Sequence, residues 1–172
     1  LPSEQYLAEQ VDIADPVAIH QAREALRGAI ARSLRGELQV IYDANRSNAP
    51  FSPDAASAGR RALKNLALSY LSVLDDDACR ALAGQQFRDA DNMTDRMAAL
   101  AALIDREDDD HQDDGRAAAL AAFHDRFKDD AVVIDKWLSL QAASTRPDTL
   151  ERVVELMAHP AFSILQPNKV RA

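Results

Sequence analysis

Four histidines are the residues of this chain best suited to metal chemistry: His20, His111, His124 and His159. They lie far apart in sequence, and none takes part in the His-Glu-x-x-His spacing that sets two imidazoles on one helical face. A zinc site made from this chain's own residues is therefore not expected. The run Asp108-Asp109-Asp110-His111-Gln112-Asp113-Asp114-Gly115 invites a calcium reading, because carboxylates followed by glycine resemble an EF-hand loop. Counted from Asp110, Gly115 falls at the sixth position, but the twelfth is Ala121, where a bidentate Glu is required. A solvated acidic loop is the expectation. Cys79, followed by Arg80 near a helix start, has the neighbours of a lowered-pKa thiol, yet a buried structural thiol is the commoner outcome. Asn92-Met93-Thr94 matches a glycosylation sequon, although nothing suggests secretion. The five glycines do not cluster, so no phosphate loop is present. No nucleophile, base and orienter can be placed together, and no catalytic, metal or cofactor-binding residue is assigned to this chain.

Three segments look more specific than helix filler. The first is Gln86-Phe87-Arg88-Asp89-Ala90-Asp91-Asn92-Met93-Thr94-Asp95, where Asn92 suits a left-handed turn and Thr94 a cap. The second, Val132 to Ala142, holds the single tryptophan, Trp137, whose large ring with a polar edge suits the anchoring of a helix pair. The third is His159-Pro160-Ala161-Phe162-Ser163 followed by Gln166-Pro167-Asn168-Lys169-Val170-Arg171. Capping and core packing are the competing explanation for the first two.

The elements that must position these segments read as helices throughout. Asp15-Pro16 supplies a cap and a first-position proline, and Val17, Ile19, Ala22, Leu26, Ile30, Leu34, Leu38 and Ile41 form an apolar stripe reaching Ala44, with Gly28 and Gly36 as weak points. Ser52-Pro53-Asp54 repeats that cap logic, and Leu63, Leu66, Ala67, Tyr70, Leu71 and Leu74 should face a neighbour. Asp75-Asp76-Asp77 puts negative charge at the positive end of a helix that runs to Phe87, with Ala78, Leu82, Ala83 and Phe87 inward. Further helices are expected from Thr94 through Ile104, from Gly115 to Phe127, from Asp130 to Ala143 and from Pro147 to Ala158. Helix pairs recurring every 35 to 45 residues or so fit an irregular α-α superhelical array, although no motif repeats at that period; a compact helical bundle is the alternative.

Composition agrees. Hydrophobic residues make up 47% of the 172 and aromatics only 5%, with many Ala and Leu and few β-branched runs, which favours an all-α protein with one core. The formal charge of −8 disfavours nucleic acid and anionic membrane surfaces as partners, with Lys169 and Arg171 as candidates for a local basic patch. One cysteine excludes an internal disulfide and fits a reducing compartment. No stretch approaches the roughly 20 apolar residues that span a bilayer, and no signal peptide is visible. Leu1 stands where a methionine would start a chain, and the closing Gln166 to Ala172 reads like the first turn of a helix, so the expectation is a piece of a larger protein.

In order and spacing these segments resemble the C-terminal domain of the bacterial aminopeptidase N family, zinc metallo-aminopeptidases of the gluzincin type. Leu1-Pro2-Ser3-Glu4 looks like the family's entry into that domain, and Asp15-Pro16 with Arg23-Glu24-Ala25-Leu26 like its first long helix. Asn92-Met93-Thr94-Asp95 and Asp135-Lys136-Trp137 look like two of its signatures, and Pro167-Asn168-Lys169-Val170-Arg171 like its Asn-Pro-Asn-Arg/Lys-x-Arg segment, with Gln166 in place of the first Asn. The resemblance implies a HEAT- or armadillo-like superhelix of antiparallel helix pairs. Residues 1–172 would then be a single helical domain, the N-terminal two-thirds or so of the family's, truncated at its C-terminal end. It implies a cytoplasmic, non-catalytic piece that packs on the catalytic domain of the same polypeptide and limits peptide access. The zinc, its ligands, the general base and the Gly-Ala-Met-Glu-Asn motif belong to that other domain. Arg171 matches an arginine facing the substrate chamber, where a guanidinium could orient a peptide carboxylate or carbonyl, or else simply pair with a neighbouring acid. The rival function class is a free-standing α-solenoid that binds partner proteins along a concave face.

Overall fold

Short polar side chains start most of the helices, each by accepting the N–H groups that a first turn leaves unpaired. The computed structural model describes residues 1–105 and 114–171; the acidic run from Asp108 to Asp113, with His111, and the terminal Ala172 lie outside the described residues. Ser3 caps α1 (Glu4–Ala8), a short helix that the sequence pattern did not suggest. Asp15 caps α2 (Pro16–Ser33), accepting from the Val17 and Ala18 N–H groups at 3.0 Å, with Pro16 at the first position as expected. The chain turns at Leu34 (φ −111°, ψ 22°) and continues as α3 (Arg35–Ala44). The single long helix expected there is thus broken beside Gly36, a residue of low helix propensity.

The helix α4 (Ala55–Leu71) is capped by Asp54, not Ser52: the Asp54 carboxylate takes the Ser57 N–H at 2.9 Å, while the Ser52 hydroxyl donates to Asp54 at 2.6 Å. After a 3₁₀ turn over Ser72–Leu74, the three aspartates divide the work of starting α5 (Asp77–Asp89). Asp75 adopts the left-handed conformation (φ 47°), which Asp tolerates better than most non-glycine residues. Asp76 caps through the Cys79 N–H at 2.9 Å, and Asp77 faces the positive end of the dipole. Asn92, not Thr94, caps α6 (Met93–Ile104), its side-chain oxygen taking the Asp95 N–H at 2.9 Å. It is not left-handed either, since Asp75 is the one non-glycine residue with positive φ among those described. The remaining helices are α7 (Asp114–Phe127), α8 (Ala131–Ala142, capped by Asp130), α9 (Thr149–Met157) and α10 (Pro167–Val170).

No strand occurs among the described residues. Contacts divide the chain into two compact units, Leu1–Ala98 and Ala99–Ala172. In the first, α2, α3 and α4 pack together and α4 meets α5. Its buried residues include Ala31, Leu38, Tyr42, Ala67, Leu68 and Leu71. Two expected apolar faces hold only in part: Leu38 of the first stripe and Ala67 and Leu71 of α4 are buried, but Val17, Leu26, Leu34 and Ile41 of the first stripe are exposed, as are Leu63 and Leu66 of α4. The inward face of α2 carries the buried Gly28 and Ala31, small residues that a search for large apolar side chains passes over. In the second unit α8 is central, packing on α7, α9 and α10, with Phe123, Ile134, Trp137 and Leu138 buried.

Candidate functional site

The first motif segment proves to be part of a buried polar network. From α6, the Asp95 carboxylate accepts from Lys64 Nζ at 2.6 Å and Asn65 Nδ2 at 2.8 Å, both on α4, and from Asn92 Nδ2 at 3.1 Å. Lys64 and Asp95 side chains are only 12% and 7% exposed, so the pair sits in a medium of low dielectric. From α5, Gln86 Nε2 donates to Asn65 Oδ1 at 2.8 Å and to the Asp95 carbonyl at 2.9 Å. Tyr42 of α3 donates its hydroxyl to Gln86 Oε1 at 2.9 Å. Burial pushes the Tyr42 phenol up to about 12, which keeps it a donor. Burial also opposes ionisation of Asp95, but Lys64, Asn92 and Asn65 outweigh it and hold the carboxyl below its usual range. Arg96 closes the cluster by donating to the Phe87 and Ala90 carbonyls. A cavity of about 410 Å³ borders this network, with Tyr42, Lys64, Gln86 and Asp95 in its wall.

This arrangement positions helices rather than reacting atoms. The ammonium and the carboxylate of the charged pair are engaged with each other, and no side-chain polar atom among the described residues is buried without a partner. Lys64, Asn65 and Tyr42 were not singled out by sequence. The available signal was the Lys64-Asn65 pair inside an otherwise apolar stretch of α4.

In the second unit the other two motif segments meet. Trp137 donates its indole N–H to the Leu120 carbonyl at 3.1 Å, anchoring α8 on α7 as expected. Its ring also lies against His124 and His159, with centroids 5.1 and 5.3 Å away, and the two imidazoles stand edge to face at 5.2 Å. Histidines separated by 35 positions in sequence are thus brought together. Asp135, two residues before Trp137, pairs with Lys169 of α10. An apolar cavity of about 250 Å³ is lined by Leu138 of α8, Val153 and Leu156 of α9, and Phe162 and Val170 beyond them. Arg171, the residue named as a candidate for the substrate chamber, is exposed at the C-cap of α10, its backbone N–H bonded to the Pro167 carbonyl at 3.2 Å.

Cys79 is the buried structural thiol. It is 4% exposed, and burial, reinforced by the Asp76 carboxylate, pushes it up to about 11. Among the described residues no three His, Cys, Asp or Glu side chains gather where they could hold a metal ion, and no helix is long and apolar enough to cross a membrane.

Helices paired in sequence, joined by short links and packed without strands among the described residues, define an α-helical repeat domain. The family described as "Domain of unknown function (DUF3458_C) ARM repeats" matches residues 1–172, and the chain belongs to it. It is 38% identical to an aminopeptidase N of Caulobacter vibrioides and 36% identical to that of Escherichia coli, in each case over its whole length. Aminopeptidase N of Haemophilus influenzae is 34% identical. The chain spans 19% of the length of each of these relatives. In three dimensions it matches the crystal structure of Legionella pneumophila aminopeptidase A in complex with aspartic acid, with a TM-score of 0.82 and 29% identity over 99% of this chain and 20% of that one. The resemblance drawn from short motifs therefore holds for family and for the all-helical fold.

Proposed function

We propose that this chain is a non-catalytic helical domain of an aminopeptidase N-type zinc enzyme, that it packs on the catalytic domain of the same polypeptide, and that it limits peptide access to the active site there. The parent would release N-terminal amino acids from peptides, in the cytoplasm. The observation that carries this reading is the likeness to aminopeptidase N over the whole chain. Zinc, whose chemistry would be to activate water, would be held by the catalytic domain.

What this chain contributes is position. Lys169, tied to Asp135, holds the α10 segment against α8, and Arg171 follows at its exposed end. An arginine so presented offers a planar fork of donors to a peptide carboxylate or carbonyl. The reading predicts that the 172-residue chain, incubated with zinc and an aminoacyl p-nitroanilide, shows no turnover. Turnover abolished by a chelator would contradict it.

A further inference from the structure

The loop between α9 and α10 is closed by a histidine acting as an acceptor. His159 Nδ1 takes the Ala161 N–H at 3.1 Å, which requires that nitrogen to be unprotonated. The same imidazole rests against Trp137 of α8 and stands edge to face on His124 of α7. We propose that His159 is a proton-operated latch: neutral, it holds the turn from Ala158 to Ser163 against α7 and α8; protonated, it releases that turn.

The chemistry follows from what faces the ring. Protonation turns Nδ1 from an acceptor into a donor, so two N–H groups oppose each other at a distance set for a hydrogen bond. The charge that appears has no carboxylate partner among the contacts of the described residues at this ring. It meets His124 from α7, with Asp125 Oδ1 3.8 Å from the His124 Nδ1, and Arg152 from α9. Arg152 is itself turned toward Gln141 of α8, whose Oε1 it reaches at 2.9 and 2.7 Å, and toward Glu155 at 2.8 Å. Trp137 is the α8 side chain that lies against the ring. Burial first, then His124 and Arg152, hold the His159 imidazole below the ordinary histidine value of about 6.5. The sign follows: the neutral form is favoured by the fold, so its contribution is complete above about 6.5 and is lost as pH falls through the lower, folded-state value. Release would be local, because the Phe162 N–H still bonds the His159 carbonyl at 2.9 Å.

The latch does not depend on the proposed aminopeptidase role and is tested on the 172-residue chain itself. Long-range ¹H–¹⁵N spectra of the imidazoles report tautomer and protonation, and amide exchange reports the Ala161 N–H. At neutral pH His159 should carry its proton on Nε2. Across the pH range in which His159 titrates, the protection of Ala161 should fall about fivefold or more relative to Leu138 of α8, the population change that corresponds to losing one hydrogen bond of ordinary net strength. In His124→Gln, which removes the imidazole that opposes charge on His159, the titration and the loss of protection should move together to higher pH. A proton on Nδ1 at neutral pH, or Ala161 protection that tracks Leu138 through the titration, would overturn the proposal; both are read on the unsubstituted chain.

Discussion

Replacing Lys64 by Met removes the cation of the α4–α6 network and leaves the Asp95 carboxylate, 7% exposed, with only amide donors. Breaking a buried ion pair from one side costs about 3–5 kcal/mol. Asn65 and Asn92 still donate to Asp95, so the low end, about 3 kcal/mol, is the expectation. With a urea slope of about 2 kcal/mol/M, the midpoint followed by far-ultraviolet circular dichroism should fall by about 1.5 M at pH 7. The pH dependence carries a sign. Folding holds Asp95 below the ordinary aspartate value of about 3.9. Its contribution is therefore complete above that value and is lost as pH falls through the folded-state value. The gap between Lys64→Met and the unsubstituted chain should narrow on acidification for the same reason. Replacing both residues, Lys64→Met with Asp95→Leu, should recover part of the loss, since two apolar groups leave no unpaired charge. A midpoint shift below about 0.3 M at pH 7, or a gap that does not narrow in acid, would refute the assignment of this pair as the tie between α4 and α6.

Two further outcomes follow from the local chemistry. Because its thiol is pushed up to about 11, Cys79 should react with iodoacetamide at pH 8 more than about 100-fold more slowly in the folded chain than in urea; comparable rates would contradict its burial. Asp130→Ala removes the acceptor of the Val132 and Val133 N–H groups and should lower stability by about 1 kcal/mol in urea melts, whereas Asp129→Ala should be near neutral; equal effects would argue against Asp130 as the cap of α8.

Features fixed within three or four residues were legible in the sequence. Asp15-Pro16 and Asp130 cap the helices predicted for them, because a cap needs only its own first turn. Where two candidates stood side by side the sequence misled: Asn92 outcompetes Thr94 because its oxygen takes the Asp95 N–H while its amide meets the Asp95 carboxylate. Asp54 likewise wins over Ser52 by taking the Ser57 N–H. The apolar faces were legible only in part: Leu38, Ala67 and Leu71 are buried as expected, but a search for large side chains passes over the buried Gly28 and Ala31 of α2. The polar network escaped for a different reason. Tyr42, Asn65 and Gln86 are joined across 44 and 21 positions of sequence, a distance that only the packing of α3, α4 and α5 closes. The His124–Trp137–His159 cluster was hidden in the same way, although each residue was noticed. Arg171 was reached by likeness to a family motif, not by any local pattern, and the chain's own geometry contributes the Lys169–Asp135 anchor beside it.

The proposal that this helical domain meets peptide rather than metal is tested most directly in an aminopeptidase N-type polypeptide that would carry the chain. Arg171→Ala should raise the KM for a peptide substrate while bound zinc stays at the level of the unsubstituted enzyme. Loss of zinc with an unchanged KM, or no change in either, would contradict the account.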